Sequence, residues 1–484
     1  MPNIYAVTHV PPEVSAYGMA KYSRSEASLR DSLLQLSQEK AEAFLRTFYF
    51  SYGHASIADL AHIALAIEEV SLLAAMEIVD EPLWDGQERS TRYQDFNDSP
   101  YYVPEGATPA YHQAVETLYR LYRTLNETAY DALTARYPMP QNIERSAYRR
   151  TLKARAFDIA RYALPLATLT SLGQITSARV LEQQIRRLLA SPYHEVRTIA
   201  AEMKKAASQA EPFNLLRAHL ERRPDVPPAV LATVETGPVA PTLTKYTDPD
   251  NFGIKTRQLV QHWITEWFPG SRDSAASVTL DAWGIDVDPL DDLLAGLIYP
   301  YAAWPYRAIV DILRDIPQPL KSEWIDDVFR QRGAHDEWPR VLRQRPLIFD
   351  VVLDLGAFRD LNRHRRLDKV VQRLVPELGF ETPEIFDDLG LAKTYRDTLA
   401  AVAATSLSPA EAPYILPLAH RRRMLLRMDF NELAYIAELR SRSSGHFSYR
   451  AVAHALYDAV SARFPNLARH IRMTPLETFD PFER

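Results

Sequence analysis

The sequence predicts an α+β fold, rich in helix, built from two related halves that each hold a few long strands. Three observations lead to this prediction: a proline-rich stretch near the middle, short segments that recur in both halves in the same order, and period-two runs that pass directly into helical patterns. We expect a first repeat over residues 1–222, a linker over 223–249 and a second repeat over 250–484. The linker holds six prolines and no helical period, so it should run over the surface.

The recurring segments indicate an old duplication. Leu-Pro-Leu-Ala occurs at 164–167 and again at 416–419, and each copy leads into a helix-like segment. Upstream, an alternating run at 62–69 corresponds to one at 347–355, and each passes into a helical pattern, which predicts a strand joined to a helix. One shared tetrapeptide could arise by chance, whereas an ordered series of matches favours duplication. Segments predicted to be helical cover 39–52, 111–133, 176–189, 195–210, 428–440 and 451–464.

Composition excludes several classes of protein. The chain has 484 residues, of which 46% are hydrophobic and 24% charged, as in ordinary globular domains. It has no cysteine, which excludes disulfides, thiolate metal sites and a cysteine nucleophile. No apolar run is long enough to span a membrane and no leader sequence is visible, so we expect a cytoplasmic protein without membrane contact. A net charge of −6 gives no overall attraction for nucleic acid.

Four arginine-containing features could bind an anionic ligand, because guanidinium groups and backbone amides can surround phosphate oxygens. They are the loop 87–93, the run 363–366, the run 420–423, and the isolated Arg161 and Arg440. Each also has an ordinary structural explanation, as a solvated turn, a helix C-terminus, a solvated face or a surface residue. Glycine-rich nucleotide loops, HExxH, GxSxG and metal-ligand spacings are absent from the sequence, so no metal site is expected.

Together these residues resemble the flavin-dependent thymidylate synthases. The signature of that family contains RHR, a following S-x-R-Y, an upstream G-H-x-[ST], and a downstream helix with N-A-R and a later arginine. The first half has Gly53-His54-Ala55-Ser56 and Ser90-Thr91-Arg92-Tyr93, but Asp80-Glu81-Pro82 stands in place of RHR. The second half has Arg363-His364-Arg365, but Arg373-Leu374-Val375-Pro376 replaces S-x-R-Y.

The downstream part of the signature is divided in the same way. In the first half Arg161 matches the arginine before Leu-Pro-Leu, and Ser177-Ala178-Arg179 matches N-A-R. In the second half Pro413 and Asn431 replace those two arginines, while Arg440 matches the late helix arginine. In the family, one subunit supplies the RHR arginine and the late arginine to a site, and its neighbour supplies the rest. The resemblance therefore implies a fused pseudo-heterodimer whose halves share a site, and a homodimer of four lobes with two complete sites.

The resemblance also implies the fold and the chemistry. Each repeat should contain a few long antiparallel strands with flanking helices. The activity would be methylation of C5 of dUMP, or of a related pyrimidine nucleotide, with FAD as cofactor and NADPH and methylenetetrahydrofolate as co-substrates. Arg363 and Arg440 would be catalytic, by positioning and polarising the uracil. The nucleotide-binding residues would be Glu88, Arg89, Ser90, Thr91, Arg92, Arg161, Asp360, Arg363 and Arg440. The FAD-binding residues would be His54, Ser56, Asp59, Ser177, Arg179, Gln183, Arg363, His364 and Arg365.

Some residues depart from the family pattern and keep alternatives open. Asp360 stands where the family has a glutamine, and a carboxylate that faces an anionic ligand is unfavourable unless a cation such as Arg363 pairs with it. Ser177 and Gln183 replace asparagines. These changes favour the alternative of a catalytically inactive nucleotide- or flavin-binding paralogue that acts as a scaffold or regulator. A third hypothesis, nucleic-acid binding through the arginines at 421–423, is disfavoured by the net charge.

Overall fold

The chain divides into two compact units. Unit 1 comprises Met1–Arg89 and Leu169–Ser271, and unit 2 comprises Ser90–Thr168 and Arg272–Arg484. These units are not the sequence repeats, because unit 2 takes residues 90–168 from the first half. The structure, a computed structural model, describes residues 10–22, 55–210, 212–223, 227, 237–243, 247–251, 254–255, 258, 278–280, 287–299, 304–330, 332–333, 336, 338–343, 346–477 and 482.

The regular secondary structure of the described residues consists of helices and antiparallel strands, which confirms the α+β class. The strands are β1 (His62–Ser71), β2 (Asp85–Glu88), β3 (Leu169–Ser177), β4 (Val278–Leu280), β5 (Leu347–Asp354), β6 (Asp368–Val371) and β7 (Arg421–Met428). The α-helices are α1 (Pro12–Tyr22), α2 (Leu72–Val79), α3 (Pro109–Arg136), α4 (Arg145–Ala160), α5 (Ala178–Leu189), α6 (His194–Ser208), α7 (Leu215–Glu221), α8 (Pro289–Ile298), α9 (Tyr306–Asp315), α10 (Gln318–Arg330), α11 (Leu355–Asn362), α12 (Ile385–Asp388), α13 (Ala392–Ala403), α14 (Phe430–Arg440), α15 (Phe447–Arg463) and α16 (Pro465–Ala468). Short 3-10 helices cover Ala55–Leu60, Arg161–Ala163, Arg340–Arg343, Pro376–Leu378 and Ala412–Ile415.

Each unit is organised around an antiparallel sheet. In unit 1 the described strands have the order β1-β3-β2, and in unit 2 they have the order β4-β5-β7-β6. Alternate residues of β5, from Leu347 to Leu353, are buried, as the period-two pattern predicts. In β1 the register shifts between Ile67 and Val70, where Glu69 has a φ of 57°, so a bulge interrupts the alternation there.

The same order of elements occurs twice. A long strand passes directly into a helix (β1 into α2, β5 into α11), a short strand follows, and a later long strand again passes into a helix (β3 into α5, β7 into α14). A side-chain oxygen caps each helix N-terminus: Ser71 accepts from Ala74 N, Ser177 from Val180 N, Asp354 from Ala357 N, and Asp429 from Glu432 N. The predicted strand-to-helix passage is therefore confirmed in both halves, and the polar caps mark where each strand ends.

The two Leu-Pro-Leu-Ala segments pair with each other inside unit 2. Leu166 N donates to Leu416 O at 2.9 Å, and Leu418 N donates to Leu164 O at 3.0 Å. Equivalent residues lie 252 positions apart in the sequence, so each of these bonds maps onto the other when the two copies are exchanged. This reciprocity is the pattern of a twofold interface, here formed between two segments of one chain.

Helices from both halves pack together in unit 2. The helices α3 and α4 pack against each other, and α13 from the second half packs on α3. The predictions for 111–133, 195–210 and 451–464 are confirmed by α3, α6 and α15, whereas 39–52 lies outside the described residues. The segments 176–189 and 428–440 become helical two residues later than expected, because Thr176 and Ser177 end β3, whereas Met428 ends β7 and Asp429 caps α14. No helix in the described part of the chain is long and apolar enough to cross a membrane.

The linker is not entirely on the surface. Ala240 and Leu243 are fully buried, and Glu13 Oε1 accepts hydrogen bonds from the main-chain N–H groups of Thr242 and Leu243 at 2.7 and 2.8 Å. The expectation of a surface course is therefore wrong at 240–243. Prolines prevent regular secondary structure, but they do not prevent a segment from being held by a buried carboxylate.

Candidate functional site

Arginines from both halves converge on Asp360 in unit 2. Arg161 Nη2 donates to Oδ2 of Asp360 at 3.2 Å, and Arg363 Nη2 donates to Oδ1 at 2.9 Å. Arg440 Nη2 donates to the main-chain oxygen of Asp360 at 2.7 Å. Asp360 lies on α11, and Arg363 is the C-cap residue of that helix; Arg161 lies in the 3-10 turn after α4, and Arg440 is the last residue of α14. We call Arg92, Arg161, Arg363 and Arg440 the arginine cluster.

Burial and charge act in opposite directions on Asp360. Burial, the largest single effect, would raise the pKa of this carboxyl group. Four guanidinium groups, with Arg161 and Arg363 nearest, instead hold the pKa well below its usual range. Asp360 is therefore ionised at neutral pH. The expected pairing of Asp360 with Arg363 is confirmed, and Arg161, which is only 2% exposed, is a second partner that the sequence did not predict.

Arg92 is held by a second buried carboxylate. Its Nε and Nη2 donate to the two oxygens of Asp158 at 2.6 and 2.9 Å, Nη1 donates to Tyr449 Oη at 2.9 Å, and Nη2 donates to Ser444 O at 3.2 Å. Burial would raise the pKa of Asp158, but Arg92 holds it below its ordinary value. Asp158 lies one helical turn before Arg161, so one segment orients both first-half arginines.

The loop residues before Arg92 join the same site. Thr91 is buried, and its Oγ1 accepts from Arg359 Nη1 at 3.3 Å, while Ser90 Oγ accepts from Arg92 N at 3.2 Å. Glu88 and Arg89 belong to unit 1, where Glu88 ends β2 and Arg89 N donates to Ser171 O at 2.8 Å. Nucleotide contacts of Glu88 and Arg89 stay predictions.

Glycine at 356 makes room for the cluster. A Cβ atom at this position would lie 3.1 Å from Arg161 Nη2 and 2.9 Å from Asp354 Oδ1. The contact with Asp354 is closer than real Cβ atoms approach, and the contact with Arg161 would require Nη2 to move by a few tenths of an ångström, so a side chain at Gly356 would crowd both groups. The glycine at the start of α11 therefore has a positional role in the site.

His364 supports the cluster from within the second half. Its Nε2 accepts a hydrogen bond from Arg440 Nε at 2.9 Å, so its Nδ1 carries the proton and donates to Glu432 at 3.2 Å. Burial lowers the pKa of His364 and thereby keeps the ring neutral, although the hydrogen bond to Glu432 acts in the opposite direction. Both ring nitrogens are thus used to fix Arg440, while the neighbouring Arg365 is exposed. Flavin contacts of His364 and Arg365 stay predictions.

The other predicted flavin-binding residues belong to unit 1. Arg179 Nη1 pairs with Asp59 Oδ2 at 3.0 Å, and each side chain is 43% exposed. Ser177 caps α5, and Gln183 is exposed on the same helix. Ser56 lies in the 3-10 turn at 55–60, and His54 lies outside the described residues. Accessible guanidinium and amide donors near a helix N-terminus suit a diphosphate-bearing cofactor such as FAD.

Sequence reasoning missed two residues that contact the arginines, Asp158 and Tyr449. Asp158 was detectable in principle, because a carboxylate three residues before an arginine lies on the same side of a helix and can pair with a second arginine at the same site. Tyr449 gave no such signal. Its ring lies 5.2 Å from the Arg440 guanidinium and 5.6 Å from that of Arg92, and therefore contacts arginines of both halves.

A cavity of about 850 Å³ in unit 2 is lined in part by Asp158, the carboxylate that pairs with Arg92. Tyr162, which lines the cavity, is stacked on His446 and Phe447, with ring centroids 5.7 Å apart in each case. Burial raises the pKa of Asp354, whose carboxylate accepts a hydrogen bond from Ser448. Residues that line the cavity include Tyr137, Asp158, Tyr162, Asp354, Phe447 and Ser448.

The basic run 420–423 is engaged inside unit 2. Arg421 donates to Glu381 at 2.7 and 3.1 Å, and Arg423 donates to both oxygens of Asp350 at 2.8–3.1 Å. Arg422 lies over the ring of Phe358 at 4.9 Å. The pairing of these side chains agrees with a structural explanation of the run. Among the described residues, no cluster of histidine and carboxylate groups has a geometry that could hold a metal ion.

Comparison with known proteins finds one family whose model covers more than half of the chain. The model described as "Thymidylate synthase complementing protein" matches residues 6–213 and 298–466. A UPF0159 protein of Chlamydia muridarum is 26% identical over 93% of this chain and 88% of its own length. A UPF0159 protein of Chlamydia pneumoniae is 26% identical over 94% and 88%, respectively. One from Thermoplasma acidophilum is 24% identical over 94% of each chain. Among solved structures, a UMP/dUMP methylase PolB from Streptomyces cacaoi, bound with 5-Br dUMP, is 17% identical, covers 40% of this chain and 84% of its own, and has a TM-score of 0.27.

Proposed function

Because the chain belongs to the thymidylate synthase complementing protein family, the flavin-dependent thymidylate synthases, we propose that it is a methyltransferase acting on C5 of dUMP or a related pyrimidine nucleotide. One observation carries the proposal. Arg92 and Arg161 from the first half lie in the same cluster as Arg363 and Arg440 from the second half. These are the residues into which the family signature is divided, and each half alone lacks part of the set.

The cluster has hydrogen-bond donors left for a ligand. In the described part of the chain, the Nε atoms of Arg161 and Arg363 are buried and have no hydrogen-bond partner. A buried donor without a partner costs about 1–3 kcal/mol, so a phosphate oxygen that accepts from these atoms would recover that energy. In our proposal Arg92, Arg161, Ser90 and Thr91 bind the nucleotide phosphate, and Arg363, whose guanidinium group has several donors, contacts both the phosphate and the uracil.

Arg440 is placed to act on the pyrimidine ring. The neutral His364 and the main-chain oxygen of Asp360 fix its guanidinium group, and Tyr449 covers one face of that group. A fixed cation stabilises negative charge that develops on a nearby ligand atom, because no reorganisation is needed when the charge forms. In our proposal Arg440 and Arg363 orient the uracil and favour its ionised form, which makes C5 nucleophilic.

The cofactor would be FAD, with NADPH and methylenetetrahydrofolate as co-substrates. Bound FAD supplies the redox chemistry, and the protein supplies binding, orientation and charge stabilisation. Ser177, Arg179 and Gln183 would hold the cofactor, together with the other residues that the resemblance indicates. The absence of cysteine agrees with this route, since no thiolate nucleophile is needed.

The geometry changes what a homodimer has to contribute. The four arginines come together within unit 2 of a single chain, so a second copy is not needed to assemble this cluster. We still propose a homodimer, a pseudo-tetramer of repeats, because the family works as four lobes. A dimer of this kind would carry two FAD molecules.

A second candidate function is favoured by the two carboxylates. Asp158 is paired with Arg92, and Asp360 is paired with Arg161 and Arg363. These two carboxylates neutralise much of the positive charge of the cluster. The chain would then be an inactive nucleotide- or flavin-binding paralogue. Reduction by NADPH separates it from an enzyme: the enzyme should purify yellow and NADPH should bleach its flavin absorbance under nitrogen, whereas an inactive paralogue should keep any flavin absorbance that it has.

Binding of dUMP tests the proposed site directly. We expect Arg363→Ala and Arg92→Ala each to weaken dUMP binding tenfold or more, because a lost charge-assisted contact costs about 1.5–3 kcal/mol. Arg423→Ala is the matched control, since it removes an arginine that is paired with Asp350 outside the cluster. If Arg363→Ala and Arg92→Ala are folded and bind dUMP as the wild type does, the shared site is wrong.

A further inference from the structure

The carboxylate of Asp360 pairs with two of the arginines that we propose as contacts of the ligand phosphate. Its two oxygens bridge Arg161 and Arg363, at 3.2 and 2.9 Å, and thereby join a first-half and a second-half arginine. We propose that Asp360 is an internal counter-anion that the ligand has to displace from these arginines, and that this competition selects a phosphomonoester dianion over any singly charged anion. The inference deepens the proposed function and rests on it for the identity of the ligand.

The selection follows from an exchange of charge. When a ligand replaces the carboxylate of Asp360 on Arg161 and Arg363, the two arginines lose a partner with one negative charge and gain a partner with the charge of the ligand. A phosphodiester or a carboxylate carries one charge and gains nothing in the exchange. A phosphomonoester carries about 1.5–2 negative charges at neutral pH and gains attraction from the same guanidinium groups. The site should therefore discriminate a terminal phosphate from an esterified one.

The hydrogen bonds support a larger anion than the one present. The two carboxylate oxygens accept one N–H group from each guanidinium, and the Nε atoms of Arg161 and Arg363 are left without a partner in the described part of the chain. Arg161 is 2% exposed, so water cannot readily serve its Nε. A phosphate has three terminal oxygens and can accept from more of these donors than a carboxylate can.

The two possible roles of Asp360 predict opposite signs for the same substitution. If Asp360 only holds the cluster together, Asp360→Gln should lower stability and weaken ligand binding. If Asp360 competes with the ligand, Asp360→Gln leaves Arg161 without a counter-ion in the free protein, whereas in the bound protein the ligand is the counter-ion. The free protein is then less stable, and the ligand binds more tightly because it no longer displaces an internal anion.

The experiment is calorimetric titration of the full-length protein with dUMP and with the methyl phosphodiester of dUMP. We expect the wild type to bind dUMP at least tenfold more tightly than the diester. Asp360→Gln should bind dUMP about tenfold more tightly than the wild type does. The ratio of its affinities for dUMP and for the diester should be several-fold smaller than the wild-type ratio. Asp350→Asn, which removes a carboxylate paired with Arg423, should change neither value.

Several results would overturn the inference. Equal wild-type affinity for dUMP and its diester would do so without any variant, and so would weaker or unchanged dUMP binding by a folded Asp360→Gln protein. A failure of the proposed function can be distinguished from a failure of this inference. If no protein binds dUMP, thermal unfolding with inorganic phosphate and with dimethyl phosphate still tests the counter-anion. Both anions should raise the melting temperature of Asp360→Gln more than that of the wild type, and phosphate should stabilise the wild type more than dimethyl phosphate does. The opposite order, or no difference, contradicts the inference.

Discussion

Replacing Arg92 by lysine tests the contact that ties the first-half loop into unit 2. Arg92 donates two hydrogen bonds to Asp158, one to Tyr449 Oη and one to Ser444 O, over 2.6–3.2 Å. Lysine keeps the charge but cannot form the two-pronged contact. Hydrogen bonds to charged groups contribute about 1.5–3 kcal/mol each, and part of this is regained by the ammonium group, so we expect a loss of about 3 kcal/mol in the free energy of unfolding.

The matched control is Arg423→Lys. Arg423 makes the same two-pronged contact with Asp350, but their side chains are 20% and 26% exposed, against 12% and 7% for Arg92 and Asp158. Solvent weakens an exposed pair, so we expect a loss of about 1 kcal/mol or less. Urea unfolding, followed by far-ultraviolet circular dichroism, measures both variants against the wild type. Equal losses in the two variants would refute the reasoning from burial.

Three further predictions concern other parts of the molecule. Burial, with the charge of Arg161, lowers the pKa of His446 to about 3. Between about pH 3 and 6.5 only the unfolded chain takes up this proton, so the free energy of unfolding falls as the pH drops through that range. In urea unfolding the His446→Gln variant should therefore lose about 2 kcal/mol less than the wild type between pH 7 and 5. Ser71→Ala removes the cap of α2 and a 2.6 Å hydrogen bond to Glu195, which should lower the free energy of unfolding by about 2 kcal/mol in the same assay. Native mass spectrometry should show a dimer with two FAD molecules, and a monomer or four FAD would contradict the pseudo-tetramer.

Much of the fold was predictable because its signals are local. Period-two runs and the polar residues at their ends determine where β1 and β5 stop and where α2 and α11 begin. The course of residues 240–243 was not predictable, since prolines report backbone conformation and the burial of this segment depends on Glu13, more than two hundred residues away.

The candidate site divides in the same way. The pairing of Asp360 with Arg363 could be expected, because the two residues are one turn apart on a helix. The pairing of Asp360 with Arg161 depends on the contact between the two Leu-Pro-Leu-Ala copies and on the space left by Gly356. Neither is visible in local patterns, although the complementary losses of signature residues in the two halves indicated that the halves share a site.

Transfer of an isotopically labelled carbon tests the central claim most directly. The wild-type protein, supplied with FAD, NADPH, dUMP and labelled methylenetetrahydrofolate, should give a pyrimidine nucleotide that carries the label at C5 in mass spectrometry. Arg92→Ala and Arg363→Ala, which remove one arginine from each half, should both abolish the label, whereas Arg423→Ala should retain it. A wild-type protein that binds flavin and dUMP but transfers no carbon to any pyrimidine nucleotide would contradict the account and support the inactive paralogue.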